Sequence, residues 1–508
     1  MALISTLPSN KSRESEMKNI IKYPIGLVIL ITVVITSCKK EFQKLNTNPN
    51  TLEVPNDPSL LGNIEVNTFF NSAYNAWTLG NGMSQYATFS QSYYNTLARY
   101  IPASNQPYWQ VLFTDARDAN QIIADSKGNG NTSMQAVGII LRAYSFAQLT
   151  DLWGDIPFKN ALKGQNGNFA ASYDGQQTVY TDATLGIIPS LRSADSLLKT
   201  SVTAITGDLV YGGNVIKWRK FCNGLRLRYL LRASSKLPSA SAEMQQIVTD
   251  GTIFQNASES AELTLPSSVP YAFPSLTERS GDYSIKYLNI LLYNAFVNTG
   301  DQQRLSLLFA KNVTNQNATG FSFSYYGGMP IVADANTAQV ASSSGFNSAI
   351  FLSNPASPVL KARVITYQEV QFILAEASLK GLITAGSPST YYYNGITGAY
   401  ADYGLDATSA TTYAANPRVV YNPATALNQI ITQKWIGNLN VGFEGWIEYR
   451  RTGIPAFDAS SANLNSGKIS SRFIYPTDEQ TINANNYNAE LKVQGGTDNP
   501  NYKAWWEK

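Results

Sequence analysis

The chain has 508 residues, with 38 lysines and arginines against 35 aspartates and glutamates, and it contains no histidine. A net charge of only +3 argues against a nucleic-acid partner, whose phosphates would require a basic face. The lack of histidine excludes histidine-based catalytic triads, histidine general bases and histidine-ligated metals, but it leaves carboxylate chemistry and an oxygen-ligated structural calcium open.

The first predicted element is an export signal over residues 1–37, of which 1–16 resemble an upstream start-site extension. Lys18 and Lys22 precede an apolar run at 23–36. With roughly 14 residues the run is too short for a spanning helix, which needs about 20. The run ends in the sequence ITSC, which resembles the lipobox of bacterial lipoproteins. This resemblance implies that Cys38 is lipidated. The alternative is an ordinary signal peptide or membrane anchor with an incidental cysteine.

Residues 38–60 are expected to be a lipidated tether, because they contain Asn-Pro and Asp-Pro turns and little apolar periodicity. The body is then expected to cover 61–508. The second cysteine, Cys222, lies in an apolar-periodic stretch and is predicted to be a small buried residue. If Cys38 carries lipid, the chain has no intramolecular disulfide.

Helical periodicity dominates the body. Apolar residues recur at helical spacing through 107–126 and through 133–153, where Gly154 is expected to end the helix. A further amphipathic helix is predicted at 217–234.

Three more helices are predicted nearer the C-terminus. Thr366 and Glu369 form a capping-box pattern in front of a helix at 370–380. Asn422 and Pro423 are expected to open a helix over 424–439, as N-cap and first-turn proline. Another helix is predicted at 442–451.

Long stretches rich in Gly, Ser, Asn and Tyr separate these helices. Because a compact domain seldom has so many long loops unless they carry function, we predict a mainly α scaffold of helix pairs with a loop-rich binding surface. No strict repeat is visible, although helix pairs can be degenerate solenoid repeats. The expected loops are 163–180, 255–285, 311–357, 383–421 and 455–500.

Several segments together resemble the SusD/RagB family of nutrient-binding outer-membrane lipoproteins. The matching stretches are LRAYSFAQLTDLWGDIP (141–157), DLVYGGNVIKWRKFCNGLRLRYLLR (208–232), TYQEVQFILAEA (366–377), QKWIGNLNVGFEGWIEYRRTGIP (433–455), RFIYPTDEQTIN (472–483) and AWW (504–506). Within them, Glu376, Arg450 and Arg451 are expected to form ion pairs that fix helix ends.

The resemblance implies helix pairs like tetratricopeptide units, with a loop-rich part that carries the ligand site. It further implies a binding protein without catalytic activity or cofactor, anchored by lipid to the outer membrane and facing outward. Such a protein captures an oligomeric nutrient, foremost a glycan, and delivers it to a SusC-like TonB-dependent transporter. The middle loops carry no match, so a peptide or another oligomer remains open as the ligand.

Aromatic residues next to turns are the candidate ligand contacts. The apolar C–H face of a sugar ring can stack on Tyr or Trp, and the scarcity of charge nearby favours a neutral ligand. The alternative is that these rings line the packing between helices. The candidates are Trp77, Tyr93, Tyr94, Tyr325 and Tyr326.

Two other functions are alternatives to nutrient binding. A glycosidase would need paired carboxylates, and Asp151 with Asp155 or Glu444 with Glu448 have the required residue types. However, carboxylates spaced four apart on a helix usually face water, and both pairs lie in family scaffold. The second is a structural or adhesive surface lipoprotein.

Overall fold

The computed structural model describes residues 56–91, 98–164, 167, 169–459 and 462–508, and most of these are helical. The longer helices are α1 (Asp57–Asn75), α3 (Gln106–Asn129), α4 (Thr132–Trp153), α6 (Ile187–Thr200), α7 (Val215–Arg232), α8 (Ala240–Asp250), α11 (Ile290–Thr299), α15 (Tyr367–Leu379), α16 (Pro388–Asp402), α18 (Ala426–Gly437), α19 (Glu444–Thr452) and α21 (Ala484–Val493). The short ones are α2 (Asn81–Met83), α5 (Gln176–Thr181), α9 (Pro274–Thr277), α10 (Ser280–Ser284), α12 (Gln302–Leu308), α13 (Thr337–Ser342), α14 (Ser348–Phe351), α17 (Ala407–Ala414) and α20 (Thr477–Ile482).

The strands are short and pair in three separate antiparallel ladders, β1 with β5, β2 with β3 and β4 with β6. Among the described residues these pairs do not join into a larger sheet. Their bounds are β1 (Ala87–Phe89), β2 (Ile156–Pro157), β3 (Tyr173–Asp174), β4 (Ala261–Leu263), β5 (Lys286–Leu288) and β6 (Ala362–Ile365).

The first helix, α1, begins inside the segment expected to be tether. Asp57 and Pro58 stand in its first turn, where an acidic side chain favours the helix dipole and a proline loses no hydrogen bond. The Asp-Pro pair that indicated a turn is therefore a helix start.

The helices predicted at 107–126, 133–153 and 217–234 are confirmed as α3, α4 and α7. Asn131 caps α4 by accepting a hydrogen bond from the Met134 amide at 3.0 Å, which satisfies one of the free amides of the first turn. Gly154, at φ 86°, ends α4 as expected.

Two predicted helix starts differ from the structure in detail. Thr366 accepts a hydrogen bond from the Glu369 amide at 3.3 Å, but the Glu369 carboxylate binds Arg228 instead of completing a capping box. Asn422 and Pro423 form a turn ahead of α18, in which the Thr425 amide donates to the Asn422 carbonyl. The helix itself starts at Ala426.

Helices α16 and α17 lie in the stretch 383–421, which was expected to be loop. The glycines of α16 are responsible for the wrong prediction. A Cβ atom on Gly395 would lie 2.5 Å from the Phe372 ring, and one on Gly398 would lie 2.7 Å from the Tyr367 ring. The glycines therefore allow α16 to pack closely on α15, and they do not mark a loop.

The scaffold is built from helices that pack on their neighbours along the chain. Helix α3 packs on α4, α4 on α6, α6 on α7, and α15 on both α16 and α18. This arrangement confirms the mainly α fold built from helix pairs. One large apolar core, which includes the buried Trp153, Trp218, Trp435 and Trp446, runs through it.

A buried ionic network crosses the same core. Arg228 pairs with Glu369 at 2.5 Å, and Arg232 pairs with Asp151 and with Glu444. Arg451 pairs with Glu376 at 2.5 Å, and Arg450 pairs with Glu507 at 2.5 Å, so the expected ion pairs at the helix ends are confirmed.

Cys222 is fully buried in α7, as predicted, and its thiol donates to the Leu191 carbonyl at 3.2 Å. Cys38 and the apolar run 23–36 lie outside the described residues. Within the part of the chain that the structure describes, no helix combines the length and the apolar character needed to cross a bilayer.

Candidate functional site

Trp77 is a core residue and not an exposed ring beside a turn. It lies in a π-helical turn, Ala76–Gly80, that continues α1, and only 1% of its surface is exposed. Its ring packs 4.8 Å from Phe346 and 5.2 Å from Phe351, and its indole nitrogen donates to Glu278 at 2.8 Å. The expectation that Trp77 offers a face to a ligand is wrong, because protein side chains already cover the ring.

Tyr326 is also buried, with 6% of its surface exposed. Its ring packs 5.6 Å from that of Phe321, and burial raises the pKa of its hydroxyl. It belongs to the apolar core, so the expectation of an exposed Tyr326 ring is also wrong.

Tyr325 remains half-buried and is held in a rigid turn. It ends the 3₁₀ turn Phe323–Tyr325, its amide donates to the Ser322 carbonyl at 3.1 Å, and its carbonyl accepts from the Asn312 amide at 2.9 Å. The Lys311 ammonium lies 5.3 Å from the ring centroid. A ring fixed in this way can stack on an apolar face with little loss of side-chain freedom.

The neighbours of Tyr325 extend this surface. Phe321 and Phe323 are half-buried and meet edge to face at 5.0 Å, and Asn315 and Ser324 lie beside them. We call residues 311–326 the aromatic loop. It combines ring faces with amide and hydroxyl groups, which is the mixture that a sugar or another polar oligomer requires.

Tyr93 and Tyr94 lie outside the described residues, so they stay predictions. The chain that leads to them is attached to the loop-rich part of the structure. The Ser90 amide donates to the Ile285 carbonyl at 2.9 Å, and the Ser90 carbonyl accepts from the Ala335 amide at 2.9 Å.

A second aromatic surface was not predicted from the sequence. Phe70 and Tyr74 stack at 5.7 Å along α1, and Tyr271 meets Phe70 edge-on at 5.5 Å. Tyr74 is 46% exposed. We call these three residues the aromatic platform. The i, i+4 spacing of Phe70 and Tyr74 would have pointed to it, had α1 been recognised as a helix.

Two cavities are lined by polar groups. One, of about 310 Å³, lies between α11 and α18 and is lined by side-chain amides that include Asn294, Asn298, Asn428 and Gln429. Another, of about 470 Å³, is lined by Tyr449, Lys468 and Asn501 among others, and the Tyr449 ring stacks flat on Phe457 at 4.0 Å. Neutral amides suit hydroxyl-rich ligands, because they can both donate and accept.

The carboxylate pairs considered for glycosidase chemistry are occupied by protein groups. Asp151 accepts hydrogen bonds from Arg232, from Tyr180 at 2.6 Å and from Trp506 at 3.0 Å. Asp155 accepts a hydrogen bond from the Gln176 amide at 2.7 Å. The expectation that both pairs face water is wrong for Asp151, Glu444 and Glu448, which are buried.

The pKa values of the second pair, Glu444 and Glu448, agree with carboxylates that are held in ion pairs. Burial alone would raise the pKa of Glu444, but the charges of Arg228 and Arg232 outweigh it and leave the pKa lowered. For Glu448, the charges of Arg451 and Lys434 have the same effect. Neither group is poised to donate a proton near neutral pH. Among the described residues, no cluster of three or more acidic or cysteine side chains could hold a metal ion.

Comparison with known proteins identifies relatives of the whole body. A SusD-like family model, whose description reads "Starch-binding associating with outer membrane", matches residues 49–476. No curated protein is significantly similar to the chain in sequence.

Solved structures share the fold. A SusD homologue from Bacteroides fragilis is 24% identical, with a TM-score of 0.76 over 90% of this chain and 100% of its own. A chitin-binding SusD homologue from Flavobacterium johnsoniae is 20% identical, with a TM-score of 0.71 over 88% and 98%. A SusD homologue from Bacteroides thetaiotaomicron is 21% identical, with a TM-score of 0.71 over 89% and 99%.

Proposed function

We propose, from the finding that this chain belongs to the SusD-like family of starch-binding proteins associated with the outer membrane, that it captures an oligomeric nutrient at the cell surface. The observation that carries the proposal is the family match over 49–476. We further propose that the nutrient is a glycan, and that the protein delivers it to a SusC-like TonB-dependent transporter while held in the membrane by lipid on Cys38.

We place the cargo against the aromatic loop, with Tyr325 as the stacking residue. Three properties support this position: the ring is half-exposed, its backbone is fixed by Asn312 and Ser322, and polar side chains lie next to it. Tyr93 and Tyr94 remain part of the proposed site. Tyr74 of the aromatic platform is a second contact, because nearly half of its surface is open to solvent.

Under this proposal the protein binds and carries the oligomer and does not hydrolyse it. The carboxylates at the positions weighed for catalysis are held mostly in ion pairs and hydrogen bonds to the scaffold. Incubation with bound oligosaccharides should therefore leave their length unchanged.

The test is binding of a panel of oligosaccharides and oligopeptides to the purified full chain by calorimetry. For any oligomer that binds, Tyr325→Ala is expected to weaken binding by about tenfold, since a stacked ring contributes on the order of 1 kcal/mol or more. Tyr325→Phe should bind nearly as the parent does, because it keeps the ring.

The matched control is Tyr502→Ala, which removes a half-buried tyrosine near the C-terminus, outside both aromatic surfaces. If Tyr325→Ala, Tyr74→Ala and the alanine variants of Tyr93 and Tyr94 all bind like the parent, the position of the site is wrong. If no oligomer binds to the folded protein at all, the proposed function itself is contradicted.

A further inference from the structure

A basic cleft lies on the helical scaffold, away from the aromatic loop in sequence. It runs between α3, α4 and the turn that follows β2, and it consists of two adjoining cavities of about 170 and 330 Å³ that share Asn120 and Leu162 as walls. Its apolar wall is aromatic: Phe146 meets Phe158 at 4.9 Å and Phe113 at 6.1 Å, in both cases edge to face.

Basic side chains surround this wall. They are Arg117, Arg142, Lys159 and Lys163, and among the described residues no aspartate or glutamate lines either cavity. Arg117 is neutralised by Asp118 at 2.7 Å, and Lys159 is 3.7 Å from Asp182. For Arg142 and Lys163, the described residues offer no carboxylate within salt-bridge distance, and the Lys163 ammonium donates to the amide oxygen of Asn160 at 3.0 Å.

Arg142 is the central group. Its Nη1 donates to Asn120 Oδ1 at 2.9 Å, which fixes the guanidinium plane. Its Nε and Nη2 donate to no protein atom in the described part of the chain, so the two-donor edge of the guanidinium is left open. That edge matches the two oxygens of a carboxylate or of one face of a sulfate.

Arg142 differs in this respect from the deeply buried arginines. The deeply buried arginines Arg228, Arg232 and Arg304 all have carboxylate partners within 2.5 Å or less. Arg142 is half-buried without such a partner, and burial lowers the pKa of its guanidinium. A desolvated cation without a counter-ion costs stability, and a bound anion would offset that cost.

We propose that this cleft binds an acidic sugar unit of the oligomeric cargo, whose carboxylate or sulfate is held by the open edge of Arg142 with Lys163 beside it. The proposal rests on the proposed function, because it names a chemical class of cargo. It also differs from the neutral ligand expected at the aromatic loop, since the cleft would select oligomers that carry acidic units.

Hydrogen bonds hold the turn after β2, which lines the cleft. The Ala161 amide donates to the Phe158 carbonyl at 3.1 Å, and Leu162 adopts a left-handed conformation at φ 58°. The Lys159 amide is anchored to Asp174 at 2.8 Å. The backbone just before Lys163 is thus held by hydrogen bonds, and Lys163 lines the same cavity as Arg142.

The experiment titrates the purified full chain with tetragalacturonate, with its neutral methyl ester and with a sulfated galactan tetrasaccharide. We expect an acidic oligomer to bind at least about tenfold more tightly than the neutral ester, since hydrogen bonds to charged groups are among the strong ones. Affinity should fall as salt rises from about 50 to 500 mM, because added ions screen the cationic cleft.

Variants separate a binding role from a packing role. Arg142→Gln should reduce the affinity for the acidic oligomer to that of the neutral ester, with an unchanged or higher melting temperature. Arg142→Lys keeps the charge but loses the two-donor edge, so it should bind more weakly than the parent and retain its salt dependence. Arg279→Gln removes one positive charge outside the cleft and should bind like the parent.

Equal affinity for acidic and neutral tetramers, or full binding by Arg142→Gln, would overturn the inference. So would a lower melting temperature of Arg142→Gln with unchanged binding, which would make Arg142 a packing residue. If neutral oligomers bind at the aromatic loop while both acidic ones fail, the proposed function stands and only the acidic site is lost.

Discussion

At the scale of single residues, Glu65 is a strongly perturbed carboxyl group outside the ionic network. It is fully buried on α1, and one of its oxygens accepts a hydrogen bond from the Leu209 amide at 2.7 Å. Burial, and then the nearby charge of Asp208, raise its pKa to about 9. Glu65 is therefore protonated in the folded protein at neutral pH.

Because the folded protein binds this proton more tightly than the unfolded chain, Glu65 should make the protein less stable as the pH rises from about 4.5 toward 9. Glu65→Gln mimics the neutral carboxyl group at every pH. We expect its melting temperature to exceed that of the parent more at pH 8 than at pH 5, in matched buffers. The control Asp458→Asn alters an exposed carboxylate and should show no such trend; a constant difference across pH would refute the assignment.

Single residues also show where prediction from sequence reached its limit. Cys222 and Arg451 were placed correctly, because a small apolar residue in a periodic helix and a cation near a helix end have few alternatives. Trp77 was misplaced, because the rings that cover it, Phe346 and Phe351, come from a segment far away in the chain. Burial of an aromatic ring is a tertiary property that flanking Gly and Asn residues do not reveal.

At the scale of elements, the packing of α15 on α16 depends on glycine. Gly395→Ala would place a methyl group 2.5 Å from the Phe372 ring, which is itself fully buried and has little room to move. We expect a loss of about 1–3 kcal/mol in the free energy of unfolding, as is usual for overpacking. Chemical denaturation of parent and variant measures this difference.

Gly128→Ala in α3 is the matched control. Apart from its chain neighbours and the backbone of its own helix, no atom of the described residues lies within 4 Å of the added methyl group, so the intrinsic preference of the helix for alanine should act alone. We expect stabilisation by up to about 1 kcal/mol. If both variants shift stability in the same direction, close packing at Gly395 is not the reason for its glycine.

The glycines of α16 also show how far the fold could be predicted from the sequence. Helices α3, α4 and α7 were recognisable because their apolar residues recur at helical spacing, and α15 was recognisable from the helix cap at Thr366. Helix α16 was hidden because Gly395 and Gly398, which serve helix packing, are residues that break helices in isolation. The family resemblance nevertheless predicted the mainly α architecture, since its motifs fall on the helices with the clearest periodicity.

At the scale of the whole molecule, the buried ionic network joins helices that are distant in sequence. Arg232 lies on α7 and binds Asp151 of α4 and Glu444 of α19. Arg232→Met would remove the counter-ion of the buried Asp151 and one of the two counter-ions of Glu444, which keeps Arg228. Breaking such a pair from one side costs about 3–5 kcal/mol, so we expect a large fall in melting temperature at pH 7.

The network also sets the acid limit of stability. The pKa values of Glu444 and Glu448 are lowered in the folded protein, so these groups stabilise it above their unfolded pKa and lose that effect as the pH falls below about 4.5. Unfolding at acid pH should therefore be steep in the parent. In Arg232→Met the difference from the parent should shrink as the pH falls; a difference that stays constant from pH 7 to pH 3 would contradict the role of the network.

The last prediction concerns how the whole molecule is held at the membrane. Lipid contributes about 0.8 kcal/mol for each buried CH₂ group, and stable anchoring takes more than one acyl chain, which is what the lipobox resemblance implies for Cys38. We expect Cys38→Ala, expressed in a Gram-negative host, to remain uncleaved or to leave the membrane fraction after alkaline washing. Cys222→Ala is the matched control, because it removes the only other cysteine, which is buried in α7. It should stay with the membrane like the parent. Equal retention of all three proteins would show that something other than lipid on Cys38 holds the chain, and the binding proposal would then have to stand without an anchor at this position.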